Sequence, residues 1–325
     1  MFTASENGVL AYGRGANAAA PRLTWLDRSG KPLSALDSPG FILDINLSAD
    51  QKRVVLDIVN FEVGGRELWQ VELPRGVPSR LSLGDKLEMS PVWSPDGTRI
   101  VFGSGNKTNG TRIAFGPGAM GVATDLCEKP SSGVGKEETL FQSAAAKLPV
   151  DWSADGRFLL FESRDPGAKQ KLWVLPLSEG KPFPLLQTPF SETLGAFSPD
   201  GHRIAYVSDE SGRPEVYVQT FPISTAKWRI STAGGTQPRW RHDGKEIFYV
   251  APDSKLMAVS VSAGAPFEAG IPAALFEVGA PPGTGVRHQY CVTPDGERFL
   301  VLRGTESQET PPITVVLNWT ADVRK

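Results

Sequence analysis

The sequence predicts an all-β protein, a seven-bladed β-propeller built from four-stranded antiparallel blades. Three observations carry that prediction: one hairpin recurs seven times, each copy stands in the same apolar surroundings, and no amphipathic helix interrupts the series. The hairpin is clearest in Ala196–Val207. There Pro199 presets φ for the first central position of a type I turn and Asp200 suits the second. Gly201 then takes the left-handed conformation that closes a bulged hairpin.

In chain order the turn reads Ser5-Glu6-Asn7-Gly8, Ser48-Ala49-Asp50-Gln51, Ser94-Pro95-Asp96-Gly97 and Ser153-Ala154-Asp155-Gly156. It continues as Ser198-Pro199-Asp200-Gly201, Arg241-His242-Asp243-Gly244 and Thr293-Pro294-Asp295-Gly296. Successive copies are 43, 46, 59, 45, 43 and 52 residues apart, close to the period of propeller blades. An apolar residue precedes each turn: Ala4, Leu47, Trp93, Trp152, Phe197, Trp240 and Val292. A continuous apolar strand follows it, as in Val54–Ile58 and Ile204–Val207, because a blade buries both faces against its neighbours. Next come an alternating strand, such as Glu67–Leu73 or Glu215–Phe221, and a short closing segment, such as Pro78–Ser82 or Ala273–Val278. The tryptophans before the turns read as inter-blade packing. A β-sandwich, or a pair of them, is the weaker alternative, since sandwiches do not repeat a turn at this period.

The expected organisation is one propeller domain over residues 1–325, with blades at 1–39, 40–86, 87–146, 147–190, 191–234, 235–285 and 286–325. Three places depart from the pattern. Gln51 replaces the glycine of the second blade's turn, which predicts a remodelled turn there. Gly103–Val122 is a Gly/Asn-rich insertion in the third blade. The last blade is incomplete, running out after Ile313–Trp319. It is closed either by a strand from upstream of Met1 in a longer chain or by three strands with Thr320–Lys325.

Composition narrows the function. The 325 residues are 40% apolar and 22% charged, as in a soluble globular protein, and the 34 Gly and 27 Pro fit a turn-rich one. A net charge of −2 and a pI near 6.0 give no reason to expect nucleic acid or an anionic membrane as partner. No apolar run approaches a membrane span, so no membrane insertion is expected within this chain. The start, MFTASENG, carries neither the basic region nor the apolar core of a signal peptide. A cytoplasmic location is therefore expected if this is the full chain, and a periplasmic or extracytoplasmic one if it is part of a longer polypeptide. Cys127 and Cys291 read as buried thiols. His202, His242 and His288 lack metal-ligand spacing, so neither metal nor cofactor is expected.

With the repeats laid out, the chain resembles the TolB-like, WD-repeat-like propellers with the PD40-type repeat. Among these it is most similar to the propeller domains at the C-terminus of bacterial, eukaryote-like serine/threonine protein kinases. The resemblance rests on Tyr206-Val207-Ser208-Asp209-Glu210-Ser211-Gly212-Arg213-Pro214-Glu215-Val216-Tyr217-Val218, on Lys227-Trp228-Arg229-Ile230-Ser231, and on the run from Gly234-Gly235 to Tyr249. It implies a periplasmic binding or sensing part of a larger protein and brings no catalytic residues. The kinase H-R-D, D-F-G and V-A-I-K elements are absent from the sequence.

Other motifs read as structure. Gly116–Gly121 matches G-x-G-x-x-G but lacks the helix a dinucleotide site needs, so it reads as loop. No G-x-S-x-G elbow occurs, against a prolyl-oligopeptidase-type enzyme. Asp50, Asp96, Asp155, Asp200, Asp243 and Asp295 occupy one turn slot on different blades and read as turn formers.

Function is therefore sought at a channel mouth, where loops from all blades converge. Glu88, Lys147, Glu192 and Arg287 each stand six residues before a turn. With Arg164, Asp209 and Arg213 from the loops between second and third strands, they form a candidate rim of mixed charge. Such a rim suits a protein, peptide or small polar ligand more than a polyanion. The expectation is a monomeric, non-catalytic binding module. The alternative is a propeller lyase or hydrolase using the channel mouth, which would need a convergent acid/base pair or metal cluster.

Overall fold

A computed structural model describes residues 2–4, 9–12, 21–60, 65–82, 86–106, 122–165, 167–178, 180–224, 226–262, 264, 266–279, 287–304 and 314–317. The N-terminal strands are β1 (Phe2–Ala4), β2 (Val9–Tyr12), β3 (Arg22–Asp27) and β4 (Pro32–Leu36). The next sheet holds β5 (Phe41–Leu47), β6 (Arg53–Asn60), β7 (Gly65–Glu72) and β8 (Val77–Arg80). It is followed by the sheet of β9 (Lys86–Trp93), β10 (Arg99–Asn106), β11 (Asp125–Pro130) and β12 (Glu138–Phe141). Then come β13 (Ala146–Trp152), β14 (Phe158–Arg164), β15 (Lys171–Pro176) and β16 (Phe183–Pro184). The fifth set is β17 (Glu192–Phe197), β18 (Arg203–Ser208), β19 (Glu215–Thr220) and β20 (Lys227–Arg229). The sixth is β21 (Thr236–Trp240), β22 (Glu246–Val250), β23 (Lys255–Ser260) and β24 (Ala273–Glu277). Last are β25 (Tyr290–Val292), β26 (Arg298–Arg303) and β27 (Thr314–Leu317).

The ring has six blades, which corrects the expected seven. β26 pairs with β3 over six residues, from Arg298↔Asp27 to Arg303↔Arg22, so one blade has the order β25-β26-β3-β4. The expected first and last blades, 1–39 and 286–325, therefore supply two strands each to a single blade. β1 and β2 instead join β27 in a separate three-stranded sheet. The first turn, Ser5–Gly8, lies outside the described residues. The strand expected over Ile313–Trp319 is described only as β27, which pairs with β2.

Packing explains the count. Alternate residues of a middle strand face opposite neighbours, as the two-residue period of a strand requires. Thus Leu300 and Leu302 of β26 enter the core shared with the β5–β8 blade, while Phe299 and Val301 enter the core shared with the β21–β24 blade. Four further apolar cores fill the remaining junctions between adjacent blades. Both faces of the closing blade are thereby covered, and no gap remains for a seventh.

The recurring turn does the same work in each blade. Ser94 shows the pattern: its N–H donates to the Arg99 carbonyl, and its Oγ donates to Asp96 Oδ1 at 2.5 Å while accepting from the Arg99 N–H. Asp96 Oδ1 also accepts from the Thr98 N–H. These donors, the Ser94 hydroxyl first, hold the Asp96 carboxyl down at about 2. Gln51 does not remodel its turn: it adopts φ 59° in the glycine slot and keeps the bond from its N–H to the Ser48 carbonyl. The tryptophan before the turn links blades as well as filling cores. Trp93 Nε1 donates to the Asn46 carbonyl and Trp240 Nε1 to the Ala196 carbonyl, each in the preceding blade. No helix among the described residues is long and apolar enough to cross a membrane.

Candidate functional site

The innermost strands β25, β5, β9, β13, β17 and β21 surround the central channel. Each runs from one face of the ring, here the loop face, to the turn at the other, the turn face. In β5, β9, β13, β17 and β21 the pairing slips by a bulge before the turn, and Ser90, Leu194 and Gln237 take φ between 52° and 58° there. Bulges re-aim the residues that follow them. The residue immediately before each turn packs between blades. The residue two before it is Asn46, Val92, Asp151, Ala196, Arg239 or Cys291.

All of these but Val92 line a cavity of about 280 Å³ at the turn-face mouth, together with Ala154, Pro199, His242 and Pro294 from the turns. Asp151 and Arg239 are its charged groups. Asp151 Oδ2 accepts from the Phe197 N–H at 2.7 Å. Burial pushes its carboxyl up to about 6, against the opposing pull of the Arg239 charge and the Phe197 amide. Arg239 donates no hydrogen bond to a described residue, and its Nη2 is buried without a partner. Cys291 shares the cavity as an inert thiol, pushed up to about 12 by burial. A second cavity of about 290 Å³ shares Pro199, Trp240 and His242 with the first and adds Asp200, Arg203 and Asp243. Together they form a groove running outward from the channel between the β17–β20 and β21–β24 blades.

The loop-face end of the channel is filled by buried charges in contact. Arg287 Nη1 donates to Glu162 Oε2 at 2.8 Å, and Glu162 Oε1 accepts from the Leu194 N–H at 2.7 Å. His288 Nδ1 lies 2.8 Å from Asp44 Oδ1. Burial, reinforced by the Arg239 charge, lowers the His288 pKa, so a neutral ring donates its Nδ1–H to the carboxylate. Asp57 accepts from Arg66 Nε at 2.9 Å and from the Ser90 N–H at 2.8 Å.

Of the residues expected to form an open rim, Glu88, Lys147, Glu192 and Arg287 are placed within or between blades instead, while Asp209 and Arg213 stay at the surface. Glu88 is buried against Lys129 at 2.7 Å and the Ser82 hydroxyl. Lys147, fully buried, donates to the carbonyls of Ser143 and Ala145, with Asp125 at 3.8 Å. Glu192 meets Lys171 at 2.9 Å, and burial raises its carboxyl despite the Thr188 hydroxyl and Lys171. Arg287 donates through Nη1 to Glu162 and lies 3.6 Å from Asp44, with its Nε and Nη2 buried without a hydrogen-bond partner. In the loops, Arg164 Nε donates to the Ala168 carbonyl, Asp209 takes Lys169 and the Ser191 N–H, and Arg213 takes Glu215 and the Thr232 carbonyl. The structure brings Glu88, Lys147, Glu192 and Arg287 to one face but not to one site.

The repeated turn aspartates stay separate, each bound to its own turn, and Asp155 and Asp243 are also held at about 2. Among the described residues no group of three or more His, Cys, Asp or Glu side chains is placed to hold a metal ion. The glycine motif at 116–121 lies outside the described residues.

Residues 135–266 match the family described as the TolB beta propeller domain, PD40. That stretch is TolB-like, and it spans 132 of the 325 residues. Among solved structures the chain is similar to the TolB-designated protein of Agrobacterium tumefaciens, at 17% identity and a TM-score of 0.65 over 89% of this chain and 99% of that one. TolB of Acinetobacter baumannii gives 19% identity and 0.58 over 83% of this chain and 65% of that one. Oligogalacturonate lyase of Vibrio parahaemolyticus gives 15% and 0.59 over 97% and 95%. At these identities the likeness is one of fold. Among curated protein sequences none matches.

Asp151 and Arg239 escape a sequence reading that follows the repeat, because they sit where the repeat is silent. A signal was nonetheless present. The position two before each turn reads Asn, Val, Asp, Ala, Arg and Cys in turn, while its neighbour stays apolar throughout.

Proposed function

We propose that this chain is a non-catalytic binding module, the sensor or interaction part of a larger signalling or cell-envelope protein, taking its ligand at the turn-face mouth. The observation that carries the reading is the cavity of about 280 Å³ into which five of the six innermost strands contribute, with a guanidinium that no described residue satisfies. Concave sites with few polar groups at a convergence of elements are where ligands bind. The loop-face mouth suits a ligand less, since the Arg287 guanidinium there, although its Nε and Nη2 lack hydrogen-bond partners, already faces two carboxylates, Glu162 at 2.8 Å and Asp44 at 3.6 Å. The similarity in fold to TolB propellers supports an extracytoplasmic module, and a monomeric one belongs to the same proposal.

Enzymatic use of the same mouth is the second reading, favoured by the Asp151 carboxyl held at about 6, where a general base operates. One experiment separates them. The protein and its Ala154→Trp variant, which places an indole at the exposed rim of the cavity, are equilibrated with a pool of small molecules and peptides, and retained compounds are identified by mass spectrometry. Retention by the parent and loss in the variant supports the mouth as the site. Equal retention by both overturns it, and turnover of a retained compound overturns the non-catalytic reading.

A further inference from the structure

We infer that the turn-face cavity is a receptor for the C-terminal carboxylate of a peptide, held by Arg239, with the peptide running outward along the groove past Trp240. The inference rests on the reading of that mouth as the ligand site. Arg239 stands in the channel wall with no described acceptor and no described carboxylate within ion-pair distance. A buried N–H without a partner is costly, and a planar guanidinium fork is matched in geometry by a carboxylate or a phosphate taken through two parallel hydrogen bonds; beside the carboxyls of Asp151, Asp200 and Asp243 the singly charged carboxylate is the better fit. Asp151 does not fill that role: it feels the Arg239 charge, but its hydrogen bond is to the Phe197 N–H in the neighbouring blade and it forms no ion pair with the guanidinium.

The groove then selects what the carboxylate is attached to. Its outer part is lined by two carboxylates, Asp200 and Asp243, and one guanidinium, Arg203. Hydrogen bonds from Arg241 hold Asp243 at about 2, and the Ser198 hydroxyl with the His202 N–H holds Asp200 below its ordinary value against the effect of burial. Both are ionised wherever the protein is folded near neutrality. A chain with an acid on every unit, such as an oligouronide, would bring repelling charge into that part of the groove. A peptide places its one obligatory negative charge at the inner end and neutral or basic side chains at the outer. Trp240, lining both cavities, and Pro199 offer apolar surface between.

The test compares pooled random tetrapeptides with free C-termini, the same pool amidated, and digalacturonate, each equilibrated with the parent, with Arg239→Met, with Arg239→Gln and with Ala154→Trp. The expected result is retention of free-acid peptides about tenfold or more above amides, lost in both Arg239 variants and in Ala154→Trp. Both Arg239 variants should fold cooperatively with a modest shift in urea midpoint, because the side chain donates no hydrogen bond to a described residue and acts on Asp44 and Asp151 only through its charge. Loss of cooperative folding in both variants would assign Arg239 a structural role and overturn the inference. Equal retention of acids and amides, both blocked by Ala154→Trp, overturns the carboxylate receptor while the mouth stands. Retention untouched by Ala154→Trp removes the mouth itself. Preference for digalacturonate, or no retention of either peptide pool by the parent, overturns the peptide assignment.

Discussion

Arg287 and Glu162 meet across the width of the channel. Nη1 donates to Oε2 at 2.8 Å although one residue leads into the closing blade and the other belongs to the β13–β16 blade, three places round a ring of six. The glutamate is 1% exposed and the arginine 14%. Removing one member of a buried pair strands the other's charge, at a cost of about 3–5 kcal/mol. Arg287→Met should therefore lower the urea midpoint sharply. The double change Arg287→Met with Glu162→Gln should recover more than half of that loss, since the amide still accepts from the Leu194 N–H. Urea titrations of the three proteins followed by tryptophan fluorescence check this.

Asp151 ties stability to pH. Its carboxyl titrates near 6 in the folded chain against an ordinary 3.8, because burial disfavours the anion. The folded state thus holds a proton that the unfolded chain has released. The contribution is fully present below about pH 4 and is lost as pH rises through about 6. Asp151→Asn removes the titration. Its stability relative to the parent should move from near parity at pH 4 to an advantage of about 3 kcal/mol above pH 7. Denaturant titrations of both proteins across that range give the answer, and parallel curves would contradict it.

Gln51 occupies a slot that favours glycine. At φ 59° a residue with a Cβ is strained by about 1 kcal/mol relative to glycine. Gln51→Gly should raise stability by about that amount, with a small offset from the 3.3 Å contact that its side chain accepts from Arg298. Gly201→Ala is the mirror test: φ is +72° and nothing lies within 4 Å of the added methyl, so the loss of about 1 kcal/mol is backbone strain alone. Thermal melts of both variants measure the pair.

Ring closure predicts a cross-link. Arg22 and Arg303 are directly paired at the solvent-facing end of β3 and β26. Arg22→Cys with Arg303→Cys should form a disulfide on mild oxidation, seen as a linked peptide by mass spectrometry, while Cys127 and Cys291 stay reduced in the core. A seven-bladed ring, with β3 paired elsewhere, would leave the new thiols free.

The blade and its turn were legible because they are local. Serine, aspartate and glycine at fixed spacing encode the turn, and the apolar strand behind it encodes burial on two faces. The blade count was not local. The hairpins at Phe2–Tyr12 and Tyr290–Arg303 both have the pattern of a first and second strand, and only the pairing of Leu300 with Trp25 decides which one adjoins β3. The site was hidden for a related reason. Glu88, Lys147 and Glu192 look like free surface charge in sequence, but Lys129, Asp125 and Lys171, which lie beside them, come from other strands. Arg239 looks like one more arginine in a strand until the acceptors around it are found to be committed elsewhere.

The pairing of β26 with β3 also fixes how the ring answers a mechanical load. Arg22 begins one strand and Arg303 ends the other, and they face each other at the same end of the pair. Tension carried by the chain segments leading into Arg22 and out of Arg303 pulls that end apart and breaks the ladder one rung at a time. Opposed pulls at the two ends of such a ladder would load every rung in shear at once. A ring sealed by six buried cores against heat and denaturant is therefore fastened by a zipper against force applied at Arg22 and Arg303.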